Sequence, residues 1–597
     1  MKPTRPKSSP AQLIPGIVAI AATASIAFGA GLVLQEERGS RFRDIELHDR
    51  FDADGDGRLD RSERDLAREE LGDRPPRRRR GGPPGGRARE ERPRPETLAD
   101  SLRIDPDDVE AVPRLEGTGL YDRDVLHTLF LEFEEDDWHQ EMVAFHGTDV
   151  EVPATLLLDG RPVGEVGVSY RGNTSFDMPA KKSFGISIDA YDDDLRIDGH
   201  RTLNLLNANG DDSMMREVLF SNIAQDYLPA PRANFVRVVV NGVYLGVYGN
   251  VEQINKDFTR ANHGSRKGVR WKVPPDFSGG GALAYHGPDR SEYETSYELK
   301  TDSAGPEEWD ALIEVCRILA ETPDEELEET LPRHLDVEEI IHFLALDNAM
   351  VDSDGYYSRG SDYYVYMDPD GIFHLVHYDN NETFGRGARG GPGGRGGPGG
   401  RGGPPPGRGP DGPPAGFDPD EPRGGPDRDL RRPGPDARDD RDQRRRGRGG
   451  GRGGRGRGGG GGGRGGGGGV TQPPLAFADD AETRPVIARI LAVAAWRTQY
   501  LELLRRIVEV ELDWENLGPR IDAYRDLIEA HVVRDPFHGD RARFRNALYG
   551  DEGSIRSFAE QRRRFILEHP SLAPDADDSS GRDASSEEGT SRGRDPR

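Results

Sequence analysis

Acidic side chains flank a predicted β-hairpin in the middle of this chain of 597 residues. The aromatic run 363–366 and the apolar run 372–376 predict two antiparallel strands, joined by the turn Asp-Pro-Asp-Gly. Asp354 precedes the first strand and Asp379 follows the second. Because a tight hairpin returns the chain to its starting edge, these carboxylates are expected to converge, with Asn381 beside Asp379. Such oxygen-only clusters suit Mg2+ or Mn2+.

The hairpin and its flanks resemble the CotH protein kinases. Members of that family carry an Asp before the hairpin and a second acidic cluster after it, commonly Pro-Trp-Asp-x-Asp followed by an aromatic residue and Gly. Here the second cluster reads His-Tyr-Asp-Asn-Asn-Glu-Thr-Phe-Gly over 377–385. Asp379 stands at the first Asp of the pattern, and Asn381 replaces the second.

Further motifs follow in the family's order, and the similarity covers roughly 125–385 and 484–567. They are Arg171-Gly-Asn-Thr-Ser175 with Lys181-Lys182, Leu203-Asn-Leu-Leu-Asn207 with Met215-Arg216-Glu217, and the segment from Pro231 to Gln253. The resemblance implies an α+β fold, a two-lobed atypical protein-kinase-like domain with a helical C-terminal part. It also implies an ATP-dependent Ser/Thr protein kinase that uses ATP and Mg2+ (or Mn2+).

Phosphoryl transfer needs metal-held phosphates, a cation on the nucleotide and a group that orients the acceptor hydroxyl. On the resemblance, Asp379 is the predicted metal ligand, with Asn381 as a possible second ligand. Asp354 is the predicted partner in catalysis, as base or as another metal ligand, and Asp352 is its nearest competitor.

The nucleotide contacts are predicted from the N-terminal motifs. Lys182 is the first candidate for pairing with the phosphates and Lys181 the second, while Arg171 supports the phosphate loop. Glu217 lies on a predicted helix and could pair with the lysine. Glu252 follows an apolar strand, where it either marks the adenine-facing connection or is a simple strand-end carboxylate.

A second metal-binding pattern lies near the N-terminus. Residues 52–63 match the twelve-residue EF-hand loop at every ligand position, which predicts Ca2+ binding. The alternative is an acidic, solvated turn. The predicted ligands are Asp52, Asp54, Asp56, the backbone carbonyl of Arg58, Asp60 through water, and Glu63 in bidentate fashion.

Composition limits the other functions. The formal charge of −27 disfavours wholesale nucleic-acid binding, and the Arg-Gly segment lacks interleaved aromatic residues for base stacking. A single cysteine, Cys316, excludes an intramolecular disulfide and a Cys-based zinc cluster. His374 and His377 lie close together, but no third ligand is near them in the sequence, so no zinc site is predicted.

The N-terminus combines basic residues, an apolar stretch over 17–34 and then acidic residues. This pattern predicts a signal peptide or membrane anchor over 1–36, and cleavage and anchoring stay open. The rest of the chain is expected outside the cytoplasm, where its partners would be exported protein substrates. The membrane would be contacted only through this segment.

Composition and periodicity divide the remaining chain. The predictions are an EF-hand at 40–72, a disordered linker at 73–103, the first part of the kinase-like domain at 104–385, a disordered Gly/Arg/Pro-rich insertion at 386–470, the helical C-terminal part at 471–572 and a disordered tail at 573–597. Because the helical part completes the family pattern, the insertion is expected to interrupt one domain.

Short-range patterns predict the individual elements. Strands are predicted at 128–133, 155–158, 166–170, 184–188, 235–240 and 244–251, with Asn241-Gly242 as the hairpin turn between the last two. Helices are predicted at 307–319, 337–350, 484–494, 496–510, 514–533 and 555–568.

Two functions from different classes fit these features. The first is an exported CotH-like kinase that transfers the γ-phosphate of ATP to Ser or Thr of extracytoplasmic proteins and carries a calcium-binding EF-hand. The second is a catalytically inactive, calcium-binding surface or coat scaffold.

Overall fold

The computed structural model describes residues 45–72, 104, 119–172, 176, 181–275, 279–301, 305–385 and 469–572. The predicted signal segment, the linker, the tail and positions 386–468 of the predicted insertion lie outside the described residues. Among the helices that are described, none has the length and apolar character needed to cross a membrane.

Seven strands close into a barrel in the order β1, β2, β3, β4, β5, β7, β6. β1 closes the barrel by pairing parallel with β6, whereas the other neighbouring strands pair antiparallel. Their inward apolar side chains form one buried cluster, as expected for a small barrel. The strands are β1 (His127–Glu132), β2 (Val152–Leu158), β3 (Arg161–Arg171), β4 (Ser183–Ser187), β5 (Thr202–Leu206), β6 (Ala233–Val240) and β7 (Val243–Val251).

A separate four-stranded sheet carries the predicted hairpin. Its strands are β8 (Val269–Val273), β9 (Glu298–Leu299), β10 (Tyr363–Met367) and β11 (Phe373–His377), in the order β11, β10, β8, β9. β10 pairs antiparallel with β11, so that Tyr363 lies opposite His377. The predicted hairpin is therefore present, and its two open ends lie side by side.

Helices surround the second sheet and one side of the barrel. They are α1 (His48–Phe51), α2 (Arg61–Leu71), α3 (Trp138–Ala144), α4 (Arg216–Ala224), α5 (Lys256–His263), α6 (Pro306–Glu321), α7 (Leu327–Thr330), α8 (Val337–Met350), α9 (Tyr356–Arg359), α10 (Pro485–Ala492), α11 (Ala494–Glu511), α12 (Trp514–Val532), α13 (Arg541–Tyr549) and α14 (Ile555–Leu567). One hydrophobic cluster contains side chains from both sides of the 386–468 interval. The C-terminal helices thus complete the same core as the second sheet.

The helices α1 and α2 pack against the barrel. Leu47, Leu59 and Ala67 belong to the barrel's own hydrophobic cluster. Arg64 of α2 donates from Nε to Oε1 of Glu141 on α3 over 2.8 Å, and both side chains are buried. The predicted calcium loop is therefore fixed to the barrel.

The mixed α+β class is confirmed, with strands first and helices later. The two-lobed kinase-like body is not confirmed, because the strand-rich part is a closed barrel whose ring order depends on a parallel β1–β6 contact. No local pattern predicts that contact. The short strands β5, β8 and β9 were also missed, since each has few residues from which a period could be read.

Candidate functional site

A cleft of about 520 Å³ lies between the barrel and the second sheet. Barrel strands β3, β4, β5 and β7 and helix α4 supply one wall. The other wall comes from β8, β9, β10 and the open end of the β10–β11 hairpin. A volume of this size is in the range of small-molecule sites.

Among the carboxylates that line this cleft are those of Asp354, Asp362 and Asp379, which flank the hairpin. Asp354 forms an ion pair with Arg359. Next to Asp354, Ser353 donates from its hydroxyl to Oε2 of Glu382 over 2.8 Å. This bond links the segment before β10 to the segment after β11, so the two flanks of the hairpin are in contact.

Asp362 is a candidate that the sequence reasoning missed. Only 3% of the residue is exposed, and within the described residues its Oδ1 has no hydrogen-bond partner. Burial, together with the nearby charges of Asp379 and Asp354, raises its pKa well above the ordinary Asp value. A signal was available, because Asp362 directly precedes β10 and the register Tyr363 opposite His377 places it near Asp379.

The turn after β11 sets the direction of Asp379. Its backbone is left-handed, with φ 58° and ψ 51°, and it precedes the 3-10 turn Asn380–Glu382. Asn381 of that turn donates from its side-chain amide to Oδ1 of Asp379. Both side chains line the cleft, and a shared metal site stays a prediction.

Asp352 is not among the described residues that line the cleft. The residue is 2% exposed, and burial, followed by the charge of Asp347, raises its pKa well above the usual range. Asp347 on α8 in turn accepts a hydrogen bond from the backbone N–H of Tyr357 over 3.0 Å. Geometry therefore places Asp354 in the cleft, whereas Asp352 lies in the interior with Asp347.

The side chains around the hairpin end are of the kinds that bind a divalent metal ion, although Asp354, Asp362 and Asp379 are not among the groups of described residues whose ligand atoms lie within 4.8 Å of one another. Asp362 and Asp379 supply carboxylates, Asn381 supplies an amide, and the buried Oδ1 of Asp362 is an oxygen without a protein donor. A buried acceptor left without a partner is unfavourable, and several carboxylates in one place repel each other. A hard cation such as Mg2+ would relieve both effects.

The basic residues differ from the prediction. Lys272 of β8 lines the cleft, and its Nζ donates to the hydroxyl of Tyr378 over 3.1 Å. Its charge is close enough to lower the pKa of Asp362 against the stronger effects that raise it. The sequence offered no signal for Lys272, because β8 is adjacent to β10 only in the folded sheet.

Lys182, the predicted phosphate ligand, is not among the described cleft-lining residues. Its Nζ donates to the backbone carbonyl of Phe176 and lies 4.2 Å from the centroid of that ring. Lys181 is buried and forms an ion pair with Asp535, with 2.6 Å between Nζ and Oδ2. The structure therefore does not bring this pair of lysines to the carboxylates, and a nucleotide role for Lys182 stays a prediction.

The other predicted nucleotide residues line the cleft. Arg171 donates to the side chain of Asn204, and Glu217 lies in the first turn of α4. Glu252 is 4% exposed and accepts two hydrogen bonds from the guanidinium of Arg232, at 3.0 and 2.8 Å. Glu252 thus pairs with Arg232 and also lines the cleft, and both interpretations of this residue stay predictions.

The loop 52–63 gathers several of its predicted ligands. Ligand oxygens of Asp52, Asp54 and Glu63 lie within 4.8 Å of one another. Oδ2 of Asp52 accepts the backbone N–H of Gly57 over 3.0 Å. Desolvation raises the pKa of Asp52, but hydrogen bonds from the backbone N–H groups of Gly57, Gly55 and Asp56 together lower it below the ordinary value.

The end of the loop is also the start of α2. Asp60 accepts the N–H of Glu63 over 2.9 Å, and Glu63 accepts the N–H of Asp60 over 2.8 Å, which forms a capping box. Asp56 accepts the N–H of Arg58 over 2.8 Å. The Arg58 guanidinium donates to Glu165 of β3 over 3.0 Å, so the loop contacts the barrel directly.

A comparison with protein families finds one match, a family described as CotH kinase protein, over residues 168–414 and 460–566. The matched residues make up more than half of the chain. No curated protein matches the sequence. The family match includes the cleft-lining residues from Ser169 onward, whereas the lining segment 145–148 precedes it.

Proposed function

Because the chain belongs to the CotH kinase family, we propose that it is a protein kinase that transfers the γ-phosphate of ATP to Ser or Thr hydroxyls, with Mg2+ or Mn2+ as cofactor. The family match supports a kinase-like function in general. The observation that carries the finer proposal is the group of three carboxylates in one cleft, among them the buried Asp362 with its unpartnered oxygen.

Asp379 and Asp362 hold the metal ion in this proposal, with Asn381 as an additional ligand. A bound Mg2+ supplies charge neutralisation of the phosphates and of the transferring group. Asp362 has lost most of its contact with water, so its carboxylate is held in one position at little further entropic cost. The left-handed turn at Asp379 fixes the second carboxylate.

Asp354 is the proposed general base. Its side chain is 20% exposed, so an incoming hydroxyl can reach it, whereas Asp362 is buried. The ion pair with Arg359 keeps the carboxylate oriented. Asp354 would accept the proton of the acceptor hydroxyl during transfer.

Lys272 is the proposed contact to the nucleotide phosphates, because it lines the cleft from the strand next to the hairpin. Lys182 is the second candidate. Arg171 lines the opposite wall on β3, where a guanidinium can bind a phosphate through two donors.

The proposal includes export and calcium. The basic and apolar N-terminal pattern supports targeting of the chain out of the cytoplasm, so exported proteins are the proposed substrates. The loop 52–63 is proposed to bind Ca2+, supported by the spacing of its ligands and by the proximity of Asp52, Asp54 and Glu63.

One observation favours a catalytically inactive calcium-binding scaffold as the second candidate. The amide of Asn381 donates to Asp379, and an amide brings no negative charge to the position where the family commonly has a second Asp. A site with one charge fewer binds a divalent cation more weakly.

The test is phosphate transfer from radiolabelled ATP by the purified full chain, with its own chain and a generic acidic acceptor protein as substrates. Asp379→Asn, Asp362→Asn and Lys272→Ala are expected to reduce labelling by more than about a hundredfold each, as for removal of groups that stabilise a transferring phosphate. Lys182→Ala is expected to retain activity if Lys272 is the phosphate ligand.

Asp370→Asn is the matched control, because Asp370 is an exposed carboxylate at the opposite end of the same hairpin. Its labelling should equal that of the unaltered chain. Wild-type labelling by Asp379→Asn would overturn the site assignment. Absence of labelling with Mg2+, Mn2+ and Ca2+ alike, in a chain that still binds Ca2+, would favour the scaffold.

A further inference from the structure

Two histidines and two carboxylates converge at the turn end of the β10–β11 hairpin, away from the cleft. They are His263 in the last turn of α5, Asp336 at the N-cap of α8, Glu339 in the first turn of α8 and His374 on β11. Ligand atoms of His263, Glu339 and His374 lie within 4.8 Å of one another. None of the four is among the described residues that line the cleft.

We propose that this cluster, which we call the histidine cluster, binds a structural Zn2+ ion through His263, His374, Glu339 and Asp336. Oε2 of Glu339 lies 3.0 Å from Nδ1 of His374 and 4.0 Å from Nδ1 of His263. Oδ2 of Asp336 lies 3.9 Å from Nδ1 of His374. Ligands at Zn–N and Zn–O distances near 2.0–2.1 Å sit roughly 3.3–3.4 Å apart in a tetrahedron.

The three separations given above differ from that tetrahedral value by less than about 1 Å. Asp336 lies outside the group of ligand atoms that are within 4.8 Å of one another, so its side chain must rotate to close the site. All four residues are on or next to ordered elements, which limits the shifts to side-chain rotations. The donor set of two imidazoles and two carboxylates is also chemically suited to zinc.

Burial supports a ligand. The side chains of His263, His374 and Glu339 are only 6%, 8% and 9% exposed. Within the described residues, Nε2 of His263, Nε2 of His374 and Oε1 of Glu339 are buried without a hydrogen-bond partner. Buried polar atoms are nearly always paired in folded proteins, so the protein groups alone leave this cluster incompletely satisfied.

A neighbouring carboxylate faces one of the proposed ligands. Oδ2 of Asp368 in the hairpin turn lies 3.5 Å from Nε2 of His374, the nitrogen opposite the proposed metal-binding Nδ1, and this is an ion-pair contact without a hydrogen bond among the described residues. The other oxygen of Asp368 accepts the N–H of Ile372 over 2.9 Å. A carboxylate on the outer nitrogen of a histidine is the usual support of a zinc ligand.

A backbone hydrogen bond orients the side chain of Asp336. Its Oδ1 accepts the backbone N–H of Glu339 over 3.0 Å and so caps α8, while Oδ2 is directed toward His374. Its side chain is 39% exposed, which gives the ion a path from solvent. One residue thus starts the helix and closes the site.

Imidazole ligands select Zn2+ over the hard cations Mg2+ and Ca2+ that suit the two oxygen-only sites. The ion would join the end of α5, the start of α8 and β11. Since β11 leads directly to Asp379, the site holds the hairpin from the end opposite the cleft. The competing account is an ion pair between protonated His374 and Glu339 with no metal.

The test is a Zn2+ titration of the metal-stripped full chain, in competition with a chromogenic chelator and in the presence of excess Ca2+ and Mg2+. One Zn2+ per chain is expected. His263→Ala and His374→Gln should each weaken binding by more than about a hundredfold, and Asp368→Asn by about tenfold, as for the loss of a group that supports a ligand. His286→Ala is the control, because His286 is an exposed histidine outside the cluster.

A spectroscopic measurement on the unaltered chain covers the case in which a variant fails to fold. Co2+ bound to the stripped chain should give the intense visible bands of a four-coordinate ion, and Zn2+ should displace it. Absence of a bound equivalent, or equal affinity in His263→Ala and His286→Ala, would overturn the proposal and leave the metal-free ion pair.

Discussion

The buried ion pair between Lys181 and Asp535 offers a quantitative test of how the barrel is joined to the C-terminal helices. The exposed fractions of the two side chains are 1% and 0%, and 2.6 Å separates Nζ from Oδ2. Nζ also donates to the backbone carbonyl of Val247 over 2.7 Å. Removing either partner therefore leaves the other charge inside the protein.

Lys181→Met keeps the length of the side chain and removes its charge. Breaking a buried pair in this way costs about 3–5 kcal/mol of unfolding free energy, because the remaining carboxylate is desolvated without its counter-ion. Asp535→Asn should cost a similar amount, since burial already lowers the pKa of Lys181 and the ammonium would lose the partner that opposes this shift. The double variant should lose less than the sum of the two.

Arg543→Ala provides the control. Arg543 donates to Asp212 over 2.9 Å and links the same two parts of the protein, but its side chain is 64% exposed and that of Asp212 is 30% exposed. Solvent screening limits such a pair to roughly 0–1 kcal/mol. The two variants thus compare a buried and an exposed link across one junction.

The assay is urea unfolding followed by tryptophan fluorescence, together with ATP binding at low urea. Lys181→Met should lower the transition midpoint clearly, whereas Arg543→Ala should leave it nearly unchanged, and both should bind ATP. The reasoning is refuted if Lys181→Met matches the Arg543→Ala control in stability. It is equally refuted if Lys181→Met abolishes ATP binding without loss of stability, because Lys181 would then act on the nucleotide.

Three further outcomes are expected. Asp362→Asn should weaken Mn2+ binding by at least about tenfold. It should also make the affinity less dependent on pH, because the raised pKa of Asp362 means that Mn2+ binding releases its proton. Calorimetry in buffers of different ionisation enthalpy measures the number of protons released. Burial raises the pKa of Asp347, so its neutral form is favoured, and the stability that this residue contributes falls as the pH rises above the ordinary Asp value near 4. Asp347→Asn should therefore reduce the loss of unfolding free energy between pH 4 and 7, measured by urea unfolding. An unchanged dependence of the unfolding free energy on pH would contradict this expectation. Glu63→Gln should weaken Ca2+ binding by at least about tenfold in calorimetric titration, and equal affinity would favour the solvated turn.

Several elements were correctly predicted because their signals are local. Helix α8 begins and ends where the 3.6-residue period of its apolar side chains does, at Val337 and Met350. The turn Asn241-Gly242 between β6 and β7 has φ of 45° and 75°, the left-handed backbone that Asn and Gly tolerate in such hairpins. Helical periodicity and turn conformation depend on a few neighbouring residues, so a local sequence pattern can predict them.

Other features had no such signal. Helix α13 has charged residues along much of its length, so its apolar period is weak, and it was not predicted. The barrel closes through a parallel contact between β1 and β6, which are separated along the chain by the four strands β2 to β5. That contact is set by the packing of the whole sheet.

The sequence by itself determined the family, the carboxylates at the two ends of the hairpin and the contiguous twelve-residue loop at 52–63. Only the tertiary structure decided that Lys272, rather than Lys182, lines the cleft, and that Glu339 and His263 lie beside His374. The physical reason is that a hairpin or a loop encodes its geometry in neighbouring residues. A site assembled from distant segments depends on which strands pair and which helices pack, and no spacing in the chain records that.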